Sequence, residues 1–187
     1  MQTFTQDVPE MIETERLLMR VPAFSGDGPI VNQAIRESIK ELKEWLPFAQ
    51  SIPTVEQTEE NQKKARIAFS KKESFRFLLF NKENNQFIGT CSIQAMDLEF
   101  AQAEIGYWIR TSSSGNGFMT EAIHALTDYG FTVLKLKRME IRCDATNKKS
   151  RAIPERLGYK LESIIENDDM SADGSQLKDT CVYVRIQ

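Results

Sequence analysis

The 187-residue chain holds a single histidine, His124, and three cysteines, Cys91, Cys143 and Cys181. None has a Cys or His neighbour at the short spacings that metal sites use, so no metal is expected. All three cysteines fall in strand-like runs and read as reduced thiols in or near the core of a cytoplasmic protein. Long apolar runs are missing, so no membrane-spanning segment is expected. The start, MQTFTQDVPEM, lacks the charged and apolar parts of a secretory signal. Basic charge is not in excess: 24 Lys and Arg stand against 27 Asp and Glu, a net −3. Direct nucleic-acid binding driven by bulk charge is therefore not expected. Repeats, low-complexity tracts and Pro/Gly/Ser linkers are absent too, which leaves one domain over residues 1–187.

What is present alternates clearly. Thr14–Val21 reads as an opening strand, and Ile30–Leu46 as a helix with one apolar stripe. Pro47 and Pro53 bracket a loop. Thr54 and Gln57 fit a capping box for a polar helix running to about Ser70. Phe75–Phe80 and Phe87–Ala95 read as a hairpin. Glu104–Ile109 is a strand, followed by the loop Ser112–Gly117 and a helix with apolar Met119, Ala122, Ile123, Leu126 and Tyr129. Arg138–Cys143 is a strand and Asn147–Arg156 a short helix ended by Gly158. Tyr159–Ile165 is a strand, Asn167–Ser175 an exposed loop, and Leu177–Ile186 the closing strand. Two early helices, then mostly antiparallel strands around one strand–helix–strand crossover, predict a mixed α+β sheet and not a doubly wound one.

The stretch from Ala103 to Phe131 is the most informative. Glycines let backbone approach a ligand, and a helix N-terminus offers unpaired N–H groups and the positive end of a dipole. Together they suit a polyanion. The nucleotide P-loop requires a lysine, but Gly117 is followed by Phe118 and Met119. The dinucleotide fingerprint lacks its third glycine, because Thr120 stands there. Taken alone, a helix entry without a ligand remains the alternative.

In chain order, IETERLLMR, EWLPF, FIGTCSI, EIGYWI, SSSGNGFMTEA, the Asn147-x-x-Ser150 step and ERLGY resemble the GNAT superfamily of N-acetyltransferases. They resemble most the RimJ/RimL-like branch that acetylates the N-termini of ribosomal proteins, with its many bacterial relatives. One departure is Ser112, where the superfamily's pyrophosphate loop usually begins with Gln or Arg. The resemblance implies the GNAT fold: a mostly antiparallel sheet, flanked by helices, in which two parallel strands splay apart as a V.

It further implies acetyl-CoA as co-substrate. The pantetheine arm would lie in the splay against backbone of Trp108 and Ile109, and Gly115, Asn116, Gly117, Phe118, Met119 and Thr120 would wrap the pyrophosphate. Asn147 and Ser150 would also touch the cofactor. Arg151, with Lys148 and Lys149, would meet the 3′-phosphate, unless these form a solvated helix face. Glu104 and Glu162 are rival general bases. Ser150 is the candidate acid toward the CoA thiolate, or else a helix cap. Tyr159 reads as sheet core. Pro154 is expected to leave the carbonyl of Ser150 free.

The acceptor would be a primary amine. An α-amino group, with a reference pKa near ~8 against ~10.4 for lysine, gives up its proton more easily. A protein N-terminus such as that of a ribosomal protein is the leading expectation. A polyamine, an aminoglycoside, a non-catalytic CoA sensor and a ribosome-bound interaction protein are the alternatives. The acceptor is expected among Glu44–Phe48, Asp97–Gln102 and Asn167–Asp173. Oligomeric state stays open, a homodimer among the options.

Overall fold

The computed structural model describes residues 8–187. The opening run breaks into two short strands, β1 (Met11–Glu13) and β2 (Leu17–Arg20). Thr14 makes the break. Its N–H donates to the Leu17 carbonyl at 2.9 Å and its Oγ1 accepts from the Leu17 N–H at 2.9 Å. Helix α1 (Gly28–Trp45) starts with Pro29 in its first turn, where a missing N–H costs nothing. A 3-10 turn, Pro47–Gln50, follows. Helix α2 (Val55–Ser70) begins at the expected capping box, with both reciprocal bonds formed.

Strands β3 (Phe75–Asn81), β4 (Phe87–Asp97) and β5 (Gln102–Ile109) form an antiparallel meander. A short 3-10 turn leads into α3 (Phe118–Thr132), then β6 (Arg138–Asp144), α4 (Lys148–Arg156), β7 (Lys160–Met170) and β8 (Leu177–Ile186). All eight strands make one sheet in the order β1-β2-β3-β4-β5-β6-β8-β7. Only β5 and β6 run parallel. The mixed α+β expectation therefore holds. The expected exposed loop at Asn167–Ser175 holds for Ser171–Ser175 and is corrected before it: β7 runs on, still exposed, to Met170. Asn167 takes a left-handed φ of 53° at a bulge, and pairing with β8 resumes at Asp169↔Lys178, opposite charges in register.

Strands β3 and β4 are covered on both faces, which explains why FRFLLF in β3 carries so little polarity. Phe75, Phe77 and Leu79 point to the face covered by α3, through Met119, Ala122, Ile123 and Leu126. Leu78 and Phe80 point to the other face, where Val31, Ala34 and Ile35 of α1 pack with Phe87. Period-two alternation thus assigns each strand residue to the α3 face or the α1 face.

Candidate active site

The parallel pairing of β5 with β6 is short. It holds for Gln102↔Arg138, Ala103↔Met139 and Glu104↔Glu140, then stops. Both strands continue. β5 stays paired to β4 up to Ile109, and β6 stays paired to β8 up to Asp144. A V-shaped gap therefore opens after Glu104, with one unpaired strand edge on each side. Unpaired N–H and C=O groups along such an edge will take an extended ligand as they would a strand.

The phase of the ladder says which groups face the gap. The Arg110 N–H donates to the Ile88 carbonyl at 2.8 Å, so the backbone of Arg110 and Trp108 turns toward β4. Tyr107 and Ile109, in the alternate phase, turn theirs to the gap. The backbone of Trp108 is thus already used by β4, and its indole packs on Phe87 with ring centroids 5.9 Å apart. Tyr107 takes the gap-facing position that the sequence reading gave to Trp108. Register alone decides this, and register is not visible in a run such as EIGYWI.

At the open end of the gap the chain turns through Thr111–Ser113 and the glycine loop into α3. Gly115 and Gly117 hold φ of 84° and 78°, where a side chain is disfavoured. Gly117 is the N-cap, and no side chain caps this helix. The only first-turn acid, Glu121, is drawn away by Thr14 Oγ1 at 2.6 Å and by Arg16 Nε at 2.6 Å. Arg16 also donates to the Asn116 carbonyl at 3.0 Å and lies over the Phe118 ring. The helix end therefore stays open to an anion while the loop before it is braced. A groove of about 760 Å³ adjoins it, lined by Gly115, Gly117, Thr120, Arg156 and the carboxylates Glu15 and Glu121 among others.

The other side of the loop is fixed to α1. Glu37 pairs with Arg110 and accepts from the Ser112 N–H at 3.2 Å. These bonds hold its carboxyl at about 2. Ser38 Oγ accepts from the Thr111 N–H at 2.9 Å. With Ser at 112 in place of a long polar side chain, an α1 carboxylate does the holding.

On the α3 face, Pro154 sits inside α4 and cannot donate to the Ser150 carbonyl. The orphaned carbonyl is taken by the Tyr107 hydroxyl at 3.0 Å, and the same hydroxyl lies 3.1 Å from Ser150 Oγ. Asn147, not Ser150, caps α4, accepting from the Ser150 N–H at 3.0 Å. Ser150 Oγ is therefore not used as a cap. Burial pushes the Tyr107 phenol up, so it stays protonated.

The α1 face carries the carboxylates. Glu162 is exposed and bonded to Arg138 at 2.5 Å, which holds its carboxyl below the usual range. Arg138 also binds Glu140 at 2.6 Å, and Arg142 binds Asp168 at 2.7 Å. Glu104, at the vertex of the V, makes no ion pair among the described residues. Burial pushes its carboxyl above the usual range, with Arg142 and Gln94 pulling the other way.

A family profile described as "Acetyltransferase (GNAT) domain" matches residues 16–160, which include the splay, the loop and Ser150. The chain belongs to the GNAT acetyltransferase family. It is 27% identical over 147 residues to the ribosomal-protein-serine acetyltransferase of Escherichia coli, covering 77% of this chain and 80% of that protein. It is 37% identical over 92 residues to the N-acetyltransferase p20 of Bacillus licheniformis, covering 49% of this chain and 52% of p20. The chain thus spans about half the length of p20 and of a Bacillus subtilis relative. Its fold matches that of RimL, the ribosomal L7/L12 alpha-N-protein acetyltransferase solved with coenzyme A. The TM-score is 0.85 at 22% identity, covering 96% of this chain and 97% of that one.

Within this GNAT chain the sequence-predicted residues separate into groups. Gly115, Gly117 and Thr120 line the groove at the loop and the backbone of Ile109 turns to the gap, whereas the Met119 side chain is buried in the core with Phe118 packed against it. Arg151 is turned inward, onto Tyr183 Oη at 3.0 Å and the Ala145 carbonyl at 2.8 Å. Of the α4 basic side chains it is Arg156 that lines the groove beside the loop. Tyr159 is buried against Thr127 at 2.7 Å, as expected of sheet core. Arg16, Glu37 and Tyr107 were missed. Their partners lie 105, 73 and 43 residues away, beyond the reach of local patterning. Among the described residues no helix is long and apolar enough to cross a membrane, and no cluster of His, Cys, Asp and Glu suits a metal ion.

Proposed function

We propose that this protein is an acetyl-CoA-dependent N-acetyltransferase acting on a primary amine, with a protein N-terminus as the leading acceptor class. The observation that carries it is the pairing that stops at Glu104↔Glu140 beside an uncapped, glycine-entered helix. An extended thioester with a pyrophosphate at one end matches that pair of features. Tyr107 and Ile109 would offer the backbone groups of β5 to the pantetheine arm. Gly115, Asn116, Gly117, Phe118, Met119 and Thr120 would offer the loop and helix N–H groups to the pyrophosphate. Arg156 is better placed than Arg151 toward the nucleotide end.

The bound thioester supplies the acetyl group. Glu104 accepts the amine proton, through water, as the C–N bond forms. Its raised pKa makes it a stronger base than Glu162, which Arg138 already occupies. Ser150 Oγ, with the protonated Tyr107 beside it, gives a proton to the sulfur as the C–S bond breaks. The gap-facing N–H groups of β5 are available to the developing oxyanion. The identity of the E. coli relative supports a peptide α-amine over a polyamine or an aminoglycoside. The test is acetyl-CoA consumption over N-terminal peptides, lysine peptides, polyamines and aminoglycosides. Turnover is expected to be fastest with an N-terminal peptide. No turnover with any of them, together with thermal stabilisation by acetyl-CoA, would favour a non-catalytic CoA sensor.

A further inference from the structure

From Phe75 to Phe80, strand β3 is apolar except for Arg76. Register places it opposite Ser92, which is opposite Gly106, so Arg76, Ser92, Gly106 and Trp108 share the α1 face. Glu104 lies on that face two residues further along β5. Strand spacing and rise put the two Cα atoms about 12 Å apart. Between them the floor is low: Gly106 has no side chain, Gln94 lies over it and is exposed to solvent, and Ser92 Oγ meets Gln94 at 3.2 Å.

Arg76 itself is under-partnered. A guanidinium carries five donors. Its one hydrogen bond goes to Asn61 Oδ1 at 2.6 Å, and no carboxylate pairs with it among the described residues. Burial pushes its pKa down. Arg76 is half-buried and its contact with Asn61 is exposed to solvent, so its unused donors can meet an anion arriving from solution. The other large arginines of this face, Arg138 and Arg142, each hold a carboxylate. Asn61 also lines a groove of about 600 Å³ with Phe48, Gln57, Lys64 and the carboxylates Glu56 and Glu60 among others, so Arg76 and Lys64 are the cations an acceptor carboxylate would meet there. The arginine's single partner therefore opens onto a cleft beside α2.

We propose that Arg76 is the anion-recognising residue of the acceptor site, and that the acceptor is a primary amine carrying a carboxylate several bonds away. The carboxylate would pair with the free guanidinium donors while the amine is presented to Glu104. Such chemistry comes from an acidic residue near a peptide N-terminus or from a small amino acid. This rests on the N-acetyltransferase reading above.

The test uses matched acceptors: Ser-Glu-Ala-amide against Ser-Gln-Ala-amide, and 6-aminohexanoate against hexylamine. Wild type is expected to prefer the carboxylate member of the peptide pair, the small pair, or both by about 10- to 100-fold in kcat/KM, the range of a charge-assisted hydrogen bond. R76Q is expected to abolish that preference by raising KM for the acidic acceptor alone. R76K, which keeps the charge and loses the fork, is expected to retain part of it, and thermal denaturation reports that both variants fold. No preference in wild type, or an equal loss for both members in R76Q, overturns the proposal. Calorimetry of the N-acetylated products with the CoA complex needs no chemistry. Should nothing be turned over, carboxylate-dependent product binding that R76Q loses would sustain Arg76 while the acetyltransferase reading fell. Equal or absent binding would overturn Arg76 as well.

Discussion

The contact between Tyr107 and Ser150 rests on a missing hydrogen-bond donor, so it can be tested by restoring that donor. In a regular helix the N–H of residue 154 would bond the carbonyl of residue 150. Pro154 has none, and the Tyr107 hydroxyl takes its place at 3.0 Å. Y107F leaves that part-buried carbonyl unsatisfied, at a cost of about 1–3 kcal/mol. For a chain of this size that lowers Tm by roughly 2–12 °C. P154A returns a backbone N–H, so the carbonyl is satisfied with or without the phenol. Loss of the Ser150 Oγ contact and the change in ring volume occur in both backgrounds and cancel in the cycle. Urea denaturation of wild type, Y107F, P154A and the double variant should therefore give a coupling of about 1–2 kcal/mol, with Y107F milder beside P154A. A coupling below about 0.5 kcal/mol would mean that the phenol does not replace the missing helix bond.

Removing the base should separate the two glutamates. E104Q is expected to lower kcat/KM by about 10²- to 10⁴-fold and to remove the carboxylate's part of the rise of rate with pH, leaving the part due to the amine, while E162Q stays within about fivefold. A larger loss in E162Q reverses the assignment. Glu104 also has a stability signature. Its folded pKa lies above the unfolded value, so the charged carboxylate is a cost that is fully present above the folded pKa and vanishes below the unfolded one. E104Q should therefore raise Tm at neutral pH and leave it unchanged well below the ordinary value of 4.5. G117V forces a branched side chain into φ of 78° at the helix cap, a strain of roughly 1–2 kcal/mol. It should fold, with a lowered Tm, yet show no stabilisation by CoA. A CoA-dependent shift equal to wild type would remove the loop from the site.

The local parts of this molecule were legible because their causes are local. The capping box at Thr54, the hairpin at β3 and β4 and the orphaned carbonyl before Pro154 each follow from residues within a few positions of one another. The run at Asn167 is exposed as its acidic, Gly-containing sequence implies, but its pairing up to Met170 was not legible because the partners, Lys178 and Leu177, lie on β8. Trp108 was given a role that phase assigns to Tyr107, because alternation shows that two faces exist and not which backbone groups a neighbour has taken. Arg76 was visible as one charge inside FRFLLF and went unclaimed. Its meaning came only when register put it on the face of Glu104.

That face assignment also bears on the order of events. Glu104 is an even position of β5 and looks to the α1 face. Tyr107 is an odd position and looks to the α3 face, where Ser150 waits. The proposed base and the proposed acid thus stand on opposite sides of one strand, with the gap between β5 and β6 between them. On that proposal an amine would reach Glu104 from the side of α1 and α2, and a thiol formed at Ser150 would leave toward α4. Glu37 ties α1 to Arg110 and Ser112 at the mouth of that gap. The element that borders the acceptor side therefore also holds the loop that would grip the donor. An enzyme that carried the acetyl group on one of its own side chains could reuse a single acid–base residue for both half-reactions. This arrangement has two groups that cannot exchange places, which suits direct transfer with both substrates bound. A double-reciprocal analysis should accordingly give intersecting lines. Parallel lines would call for a covalent acetyl-enzyme that the two-sided geometry does not accommodate.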